Sequence, residues 1–177
     1  NAGDLVVVAG RPGMGKSAIA LCLLKDFAVT GGKGLFIGLE MSNDQLARRY
    51  ISLLANIPNY KIRNGNLNEY ELNQMCEAAN KQQTVFYIDD DPIMTVADIR
   101  GKAKLHKARF GLELLVIDYI QLVKGTKANR EQEIAEISRS MKLLAKELHC
   151  TVMILAQLSR KSEERADKRP LLSDLDR

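Results

Sequence analysis

One stretch of eight residues, GRPGMGKS at positions 10–17, constrains the fold of this 177-residue chain more than any other. It matches the pattern G-x-x-x-x-G-K-S/T and lies between a short apolar run at 5–9 and an amphipathic segment. A strand, a glycine-rich loop and the start of a helix, in that order, form a phosphate-binding loop. Gly13 and Gly15 leave room for backbone N–H groups to approach a phosphate chain, and the helix N-terminus adds partial positive charge. The stretch therefore predicts a nucleotide-binding α/β domain.

The loop also predicts which atoms hold the nucleotide. We expect Lys16 to reach the β and γ phosphates of ATP or another nucleoside triphosphate and to assist catalysis there. We expect the Ser17 hydroxyl to bind Mg²⁺. The expected nucleotide-binding residues are Gly10, Arg11, Pro12, Gly13, Met14, Gly15, Lys16, Ser17 and Ala18.

A second ligand for Mg²⁺ is expected from a carboxylate at the end of another buried strand. The run LLVID ends at Asp118. Because the carboxyl ends of parallel strands face one ligand crevice, Asp118 and the loop should share one edge of the sheet. The alternative is an aspartate that simply ends a strand, but its combination with a phosphate-binding loop favours the metal ligand.

Hydrolysis needs a further group that orients or deprotonates water beside the γ-phosphate. Tyr119 follows Asp118, at the position where many ATPases carry a glutamate. The strand GLFIGLE instead ends at Glu40, whose carboxylate is either a candidate catalytic base or an ordinary surface group. Gln157 ends the run TVMILAQ, and its amide either contacts the γ-phosphate or is an ordinary strand end.

Short apolar runs rich in β-branched residues alternate with helical patterns along the chain. This order predicts an α/β fold with a mostly parallel β-sheet and helices on both faces. The runs are continuous, which is typical of strands buried on both faces. No linker divides the chain, so we predict one domain over residues 1–177. The predicted strands are 5–9, 35–39, 85–88, 114–117 and 151–156.

Helix starts are predicted where capping residues precede apolar periodicity. Ser42 can cap one helix, and the pairs Asn68 with Glu71 and Thr95 with Asp98 have the spacing of a capping box. The segment 129–149 predicts a helix with one apolar stripe. That stripe consists of Ile134, Ile137, Met141, Leu144 and Leu148.

Composition excludes several classes of protein. The formal net charge of +4 fits an anionic partner without requiring one. The three cysteines have neither metal-ligand nor redox spacing, which indicates a reducing compartment, and no apolar run reaches the length of a membrane span. We therefore expect a cytoplasmic protein without membrane contact. Because the chain has four Phe, five Tyr and no Trp, we do not expect an aromatic platform that stacks on bases. Any binding to nucleic acid should therefore be to phosphates.

Four separated stretches together resemble the motifs of the bacterial DnaB-type replicative DNA helicases. They are GRPGMGKS at 10–17, GLEMS at 38–42, VIDYIQL at 116–122 and LAQLSR at 155–160, with GDL at 3–5 and LSDL at 172–175 in support. The resemblance implies a RecA-like C-terminal motor domain of a DNA replication helicase, with the chain a truncated fragment of a longer protein. It implies Glu40 as the catalytic base and Gln157 as the sensor that links hydrolysis to DNA-facing loops.

The same resemblance implies a homo-hexameric ring that moves single-stranded DNA at the expense of nucleoside triphosphate. A primase and a helicase loader are the implied partners, and the bacterial nucleoid and replisome the implied location. Because the family's arginine finger follows the LSDL motif and reaches into a neighbouring subunit, we expect it to lie outside this chain.

The resemblance also implies DNA-contacting loops after Asp118 and after Gln157. The candidate DNA-binding residues, which are otherwise a solvated charge run, are Lys124, Lys127, Arg130, Arg160 and Lys161. Arg48 and Arg49 are expected on a helix surface, with contact to nucleotide or to a neighbouring subunit as the alternative. Two alternatives to the helicase stay open at this point: a RecA-like recombinase or clock-type ATPase, and a non-hydrolysing nucleotide switch or helicase-loading partner.

Overall fold

The computed structural model describes residues 1–81, 87–89, 91, 94–118, 120–123 and 130–158. Strands and helices alternate through this part of the chain. The strands are β1 (Leu5–Gly10), β2 (Gly34–Gly38), β3 (Tyr87–Asp89), β4 (Leu114–Asp118) and β5 (Thr151–Gln157). The helices are α1 (Lys16–Val29), α2 (Asn43–Ala55), α3 (Asn59–Asn64), α4 (Glu69–Lys81), α5 (Val96–Phe110) and α6 (Arg130–Glu147), and a 3₁₀ turn (Ile120–Leu122) follows β4.

The described strands form one sheet in the order β1-β5-β4-β2-β3, and every neighbouring pair is parallel. The predicted strand positions are confirmed to within one or two residues where the structure describes them; residues 82–86, which include the start of the predicted strand 85–88, lie outside the described residues. Connections between parallel strands must cross a face of the sheet, and the intervening helices make those crossings.

The side chains of the central strands alternate between two apolar cores, one on each face. Phe36 packs with α1 and α2 on one face, while its neighbours Leu35 and Ile37 pack with α5 and α6 on the other. The same alternation separates Val116 from Leu115. Helices therefore cover both faces of the sheet, as the sequence predicts.

Strand β1 departs from the expected burial. Val6 and Val7 are 39% and 45% exposed, whereas the sequence predicts that the run 5–9 is buried on both faces. Within the described residues β1 pairs with β5 and stands at the end of the sheet order. An end strand has a neighbour on one side, so side chains directed to either face lose part of their cover.

The predicted helix starts agree with the structure in position. The Glu71 N–H donates to Asn68 Oδ1 at 2.8 Å and the Asn68 N–H donates to Glu71 Oε2 at 3.1 Å, and Thr95 and Asp98 form the second capping box. Ser42 is the residue before α2, but its hydroxyl makes no capping hydrogen bond, so that part of the prediction is wrong. The apolar stripe of α6 is buried.

Candidate nucleotide-binding site

The glycine-rich loop joins the end of β1 to the start of α1, at the carboxyl edge of the sheet. Gly13 and Gly15 have φ angles of 78° and 83°, and Gly15 is the residue before α1. These are left-handed conformations that cost an L-residue with a Cβ free energy. A Cβ built on either glycine meets no protein atom within 4 Å. Backbone conformation, rather than lack of space, therefore demands glycine here, and the loop faces open space.

The start of α1 presents unpaired backbone donors to that space. The Ile19 N–H donates to the Gly15 carbonyl at 2.9 Å and makes the first bond of the helical ladder. The N–H groups of Lys16, Ser17 and Ala18 precede this bond and have no acceptor within the helix. With the positive end of the helix dipole, they form a site that favours an anion.

Lys16 folds back over its own loop. Its Nζ donates to the Gly10 carbonyl at 2.9 Å and to the Arg11 carbonyl at 3.0 Å. These are neutral acceptors, which bind an ammonium group less strongly than an anionic oxygen does. The side chain is half-buried and lines the cavity next to the loop, so its charge is available to a phosphate there.

Asp118 ends β4 and meets the loop directly. Its Oδ2 accepts a hydrogen bond from the Ser17 hydroxyl at 2.5 Å. Its Oδ1 is buried and has no hydrogen-bond partner among the described residues. Burial raises the pKa of the Asp118 carboxyl above its ordinary value, an effect opposed by the Ser17 hydrogen bond and by the charges of Lys16 and Arg49. Glu40 adds to the increase because it brings a second negative charge.

A cavity of about 250 Å³ lies along this edge. It brings together three side chains from separate parts of the chain that the sequence singles out, Lys16, Glu40 and Gln157. Its lining consists of Pro12, Gly13, Gly15, Lys16, Ser17, Ala18, Glu40, Arg49 and Gln157. The remaining predicted loop residues Gly10, Arg11 and Met14 do not line it, and the Met14 side chain is 67% exposed.

Arg49 combines two of the placements that the sequence leaves open. Its side chain is exposed on the surface of α2, as expected, and it also lines the cavity, where its charge lowers the pKa of Asp118. The sequence signal for its place at the cavity is its spacing within α2, because Leu46 and Tyr50 of the same helix are buried in the core beneath it. Arg49 lies three residues after Leu46, so it faces nearly the same direction.

The predicted DNA-binding residues stay a prediction. Lys124, Lys127, Arg160 and Lys161 lie outside the described residues, and Arg130 is the first residue of α6, with its side chain outside the description. The helices that the structure does describe include none with the length and apolar character needed to cross a membrane.

The residues beside the loop fit a magnesium ion. The buried Oδ1 of Asp118 needs a partner, and the Ser17 hydroxyl lies on the same carboxylate. Throughout the described ranges, no group of three or more His, Cys, Asp or Glu side chains could form a complete metal cage. Mg²⁺ commonly takes one or two protein ligands and completes its shell with water and substrate phosphates, which this arrangement suits.

The parallel sheet order, the glycine loop at its carboxyl edge and the strand-end aspartate define a RecA-like P-loop domain. The family described as the DnaB-like helicase C terminal domain matches residues 1–177, and the chain belongs to that family.

The chain is 42% identical to the replicative DNA helicase DnaB of Geobacillus stearothermophilus, over 97% of this chain and 39% of that protein. It is 41% identical to the replicative DNA helicase DnaC of Bacillus subtilis, with the same coverage. The chain thus spans about two-fifths of the length of these relatives. A solved DnaB-like replicative helicase, described together with its interactions with primase, superposes with a TM-score of 0.89 at 33% identity, covering 98% of this chain and 43% of that one.

Proposed function

We propose that this domain is the ATP-hydrolysing motor of a replicative DNA helicase. The observation that carries the proposal is the hydrogen bond of 2.5 Å between Ser17 of the loop and Asp118 of β4, on a cavity that Glu40 and Gln157 also line. A loop for phosphate, a carboxylate for the metal and a second carboxylate for water are the parts that phosphoryl transfer to water requires. Membership of the DnaB-like family supports the assignment to a helicase.

Nucleotide binding is assigned to the loop and to two cations. The backbone N–H groups of residues 15–18 bind the phosphate oxygens, as helix N-termini do in other anion sites. Lys16 exchanges its two neutral carbonyl acceptors for phosphate oxygens, which carry negative charge and so bind an ammonium group more strongly. Arg49, which also lines the cavity, adds a second positive charge toward the phosphates.

Ser17 and Asp118 are the proposed ligands of Mg²⁺. An ion bound there would neutralise negative charge on the phosphate oxygens during phosphoryl transfer. The buried Oδ1 of Asp118 supports this role, because an ion would supply the partner that the oxygen lacks among the described residues. The pKa of Asp118 is raised by burial, and a nearby cation would lower it again and keep the carboxylate charged.

Glu40 is the proposed catalytic base, and Gln157 the proposed γ-phosphate contact. Glu40 is exposed at the cavity, so its carboxylate can reach water there and accept a proton as the water attacks. Gln157 presents a neutral amide that donates a hydrogen bond to a phosphate oxygen without adding charge. These roles are supported by the shared cavity and by the resemblance of the surrounding motifs.

The wider activity is inferred from the family. We propose a homo-hexamer in the bacterial cytoplasm that moves along single-stranded DNA and unwinds duplex, with a primase and a helicase loader as partners. Lys124, Lys127, Arg130, Arg160 and Lys161 are the proposed phosphate contacts to DNA. The solved relative described with primase supports the first of these partners.

The test is ATP turnover and unwinding of a forked duplex by the whole protein, with and without single-stranded DNA. We expect turnover that increases with DNA, unwinding of the fork, and loss of both in Lys16→Ala. Turnover with DNA stimulation but no unwinding would favour a recombinase or clock-type ATPase. Nucleotide binding without turnover would favour a switch. The family match favours the helicase over both.

A further inference from the structure

The side-chain amide of Gln121 bonds the backbone at the end of β5, where β4 no longer pairs with it. The register of β4 and β5 ends with the pair Asp118 and Leu155, after which β4 turns into the 3₁₀ turn (Ile120–Leu122). Strand β5 continues to Gln157. There the Gln121 amide donates from Nε2 to the Gln157 carbonyl at 2.9 Å, and the Gln157 N–H donates to Gln121 Oε1 at 3.3 Å.

These two hydrogen bonds complete the sheet where β4 no longer reaches. The N–H and C=O of a strand residue point to the same side, and those of its neighbours point to the other. On the β1 side, the Leu158 N–H donates to the Gly10 carbonyl at 3.1 Å. On the β4 side, the Gln121 amide provides one donor and one acceptor, as a peptide group would. The backbone around Gln157 is therefore held from both sides.

This contact joins the nucleotide cavity to two chain segments. The Gln157 side chain lines the cavity, while Gln121 does not. Gln121 lies two residues before Val123, and Gln157 is followed by Leu158, where the described parts of these segments end. A displacement of the chain after Val123 would act on the Gln157 backbone through the two hydrogen bonds, without contact between Gln121 and the nucleotide.

We propose that Gln121 is a positioning residue that holds Gln157 in register with the γ-phosphate and transmits DNA binding to it. The inference rests on the proposed function, because it assigns regulation of that same site. Glutamine is specifically required, since the contact needs a donor and an acceptor on one planar group. Glutamate keeps the length and the acceptor, but directs a second oxygen toward the Gln157 carbonyl. Methionine keeps the length and removes both bonds.

The test measures ATP turnover by the whole protein, with and without single-stranded DNA, for Gln121→Glu and Gln121→Met. We expect the DNA-stimulated kcat to fall about tenfold, from the loss of two hydrogen bonds, while KM for ATP changes less than about twofold. Gln74→Glu is the matched control, because Gln74 lies on α4, does not line the cavity, and donates an exposed side-chain hydrogen bond to the Tyr70 hydroxyl. It should leave kcat and KM unchanged.

A double variant separates positioning from a merely structural effect. If Gln121 acts through Gln157, Gln121→Met adds no further loss of DNA-stimulated kcat once Gln157→Ala is present. Losses that multiply, or an unchanged DNA-stimulated kcat in both Gln121 variants, would overturn the proposal. If Gln121→Glu does not assemble, Gln121→Met alone decides. Wild type without DNA-stimulated turnover would instead refute the proposed function, which keeps the two failures distinct.

Discussion

Two glycine-to-alanine substitutions should change stability in opposite directions. Gly15 has a φ of 83° before α1, whereas Gly101 lies inside α5 with a helical backbone, and a Cβ on either one meets no atom within 4 Å. The two sites therefore offer a Cβ the same free space, and they differ only in backbone conformation. Alanine at 15 costs roughly 1–2 kcal/mol for the left-handed conformation, offset by roughly 0.4–1 kcal/mol from a less flexible unfolded chain. Alanine at position 101 has only the stabilising contribution from a less flexible unfolded chain, because the backbone there is already helical.

The expected result is a loss of about 1 kcal/mol for Gly15→Ala and a gain of up to about 1 kcal/mol for Gly101→Ala. For a domain of this size, each corresponds to a shift of the thermal midpoint of roughly 2–4 °C, measured without nucleotide. Gly15→Ala should also weaken binding of an ATP analogue at least about tenfold, because the chain relieves strain by turning loop N–H groups away. Equal effects of both substitutions on stability, or full nucleotide affinity in Gly15→Ala, would refute this reasoning.

Three further predictions address the acid, the base and the packing of α1. Because burial raises the pKa of Asp118 above the reference value of 3.8, the folded state binds more protons than the unfolded one. Asp118→Asn should therefore stabilise the nucleotide-free protein at pH 7.5, and this gain in stability should shrink as the pH falls through the raised pKa toward the pKa of the unfolded state. Lower stability of the variant at pH 7.5 in thermal unfolding would contradict this. The variant should also lose Mg²⁺-dependent ATP binding. Glu40→Gln should keep ATP-analogue affinity but lower turnover by at least about 100-fold, and unchanged steady-state turnover would exclude Glu40 as the base. A Cβ on Gly32 would lie 2.4 Å from the Phe27 ring, so Gly32→Ala should lower the free energy of unfolding, measured with denaturant, by about 1–3 kcal/mol. Adding Phe27→Leu should restore most of that loss. No recovery in the double variant would place the strain elsewhere.

Local sequence patterns predict the sheet and the loop because the relevant physics is local. The run LLVI before Asp118 places apolar side chains on both faces of a strand, so both faces must be covered. Helices on the two faces of the parallel sheet provide that cover. Glycine at 13 and 15 follows from left-handed backbone angles that other residues avoid. The meeting of Asp118 with Ser17 follows from one rule, that the carboxyl ends of parallel strands share an edge.

Contacts between distant residues are harder to predict from the chain alone. Gln121 and Gln157 are 36 residues apart, and nothing in the composition of either segment indicates that one amide bonds the other's backbone. Arg49 reaches the cavity because of the rotation of α2 about its axis, which tertiary packing of Leu46 decides. The exposure of Val6 and Val7 depends on the place of β1 in the sheet order, which periodicity does not encode.

The most direct measurement is a crystal structure of the whole protein with Mg²⁺ and a non-hydrolysable ATP analogue. We predict the phosphate chain along residues 13–18, the Lys16 ammonium on phosphate oxygens instead of on the Gly10 and Arg11 carbonyls, and the ion held by Ser17 and Asp118. Phosphates bound away from this loop, with Lys16 still on those two carbonyls, would contradict this prediction.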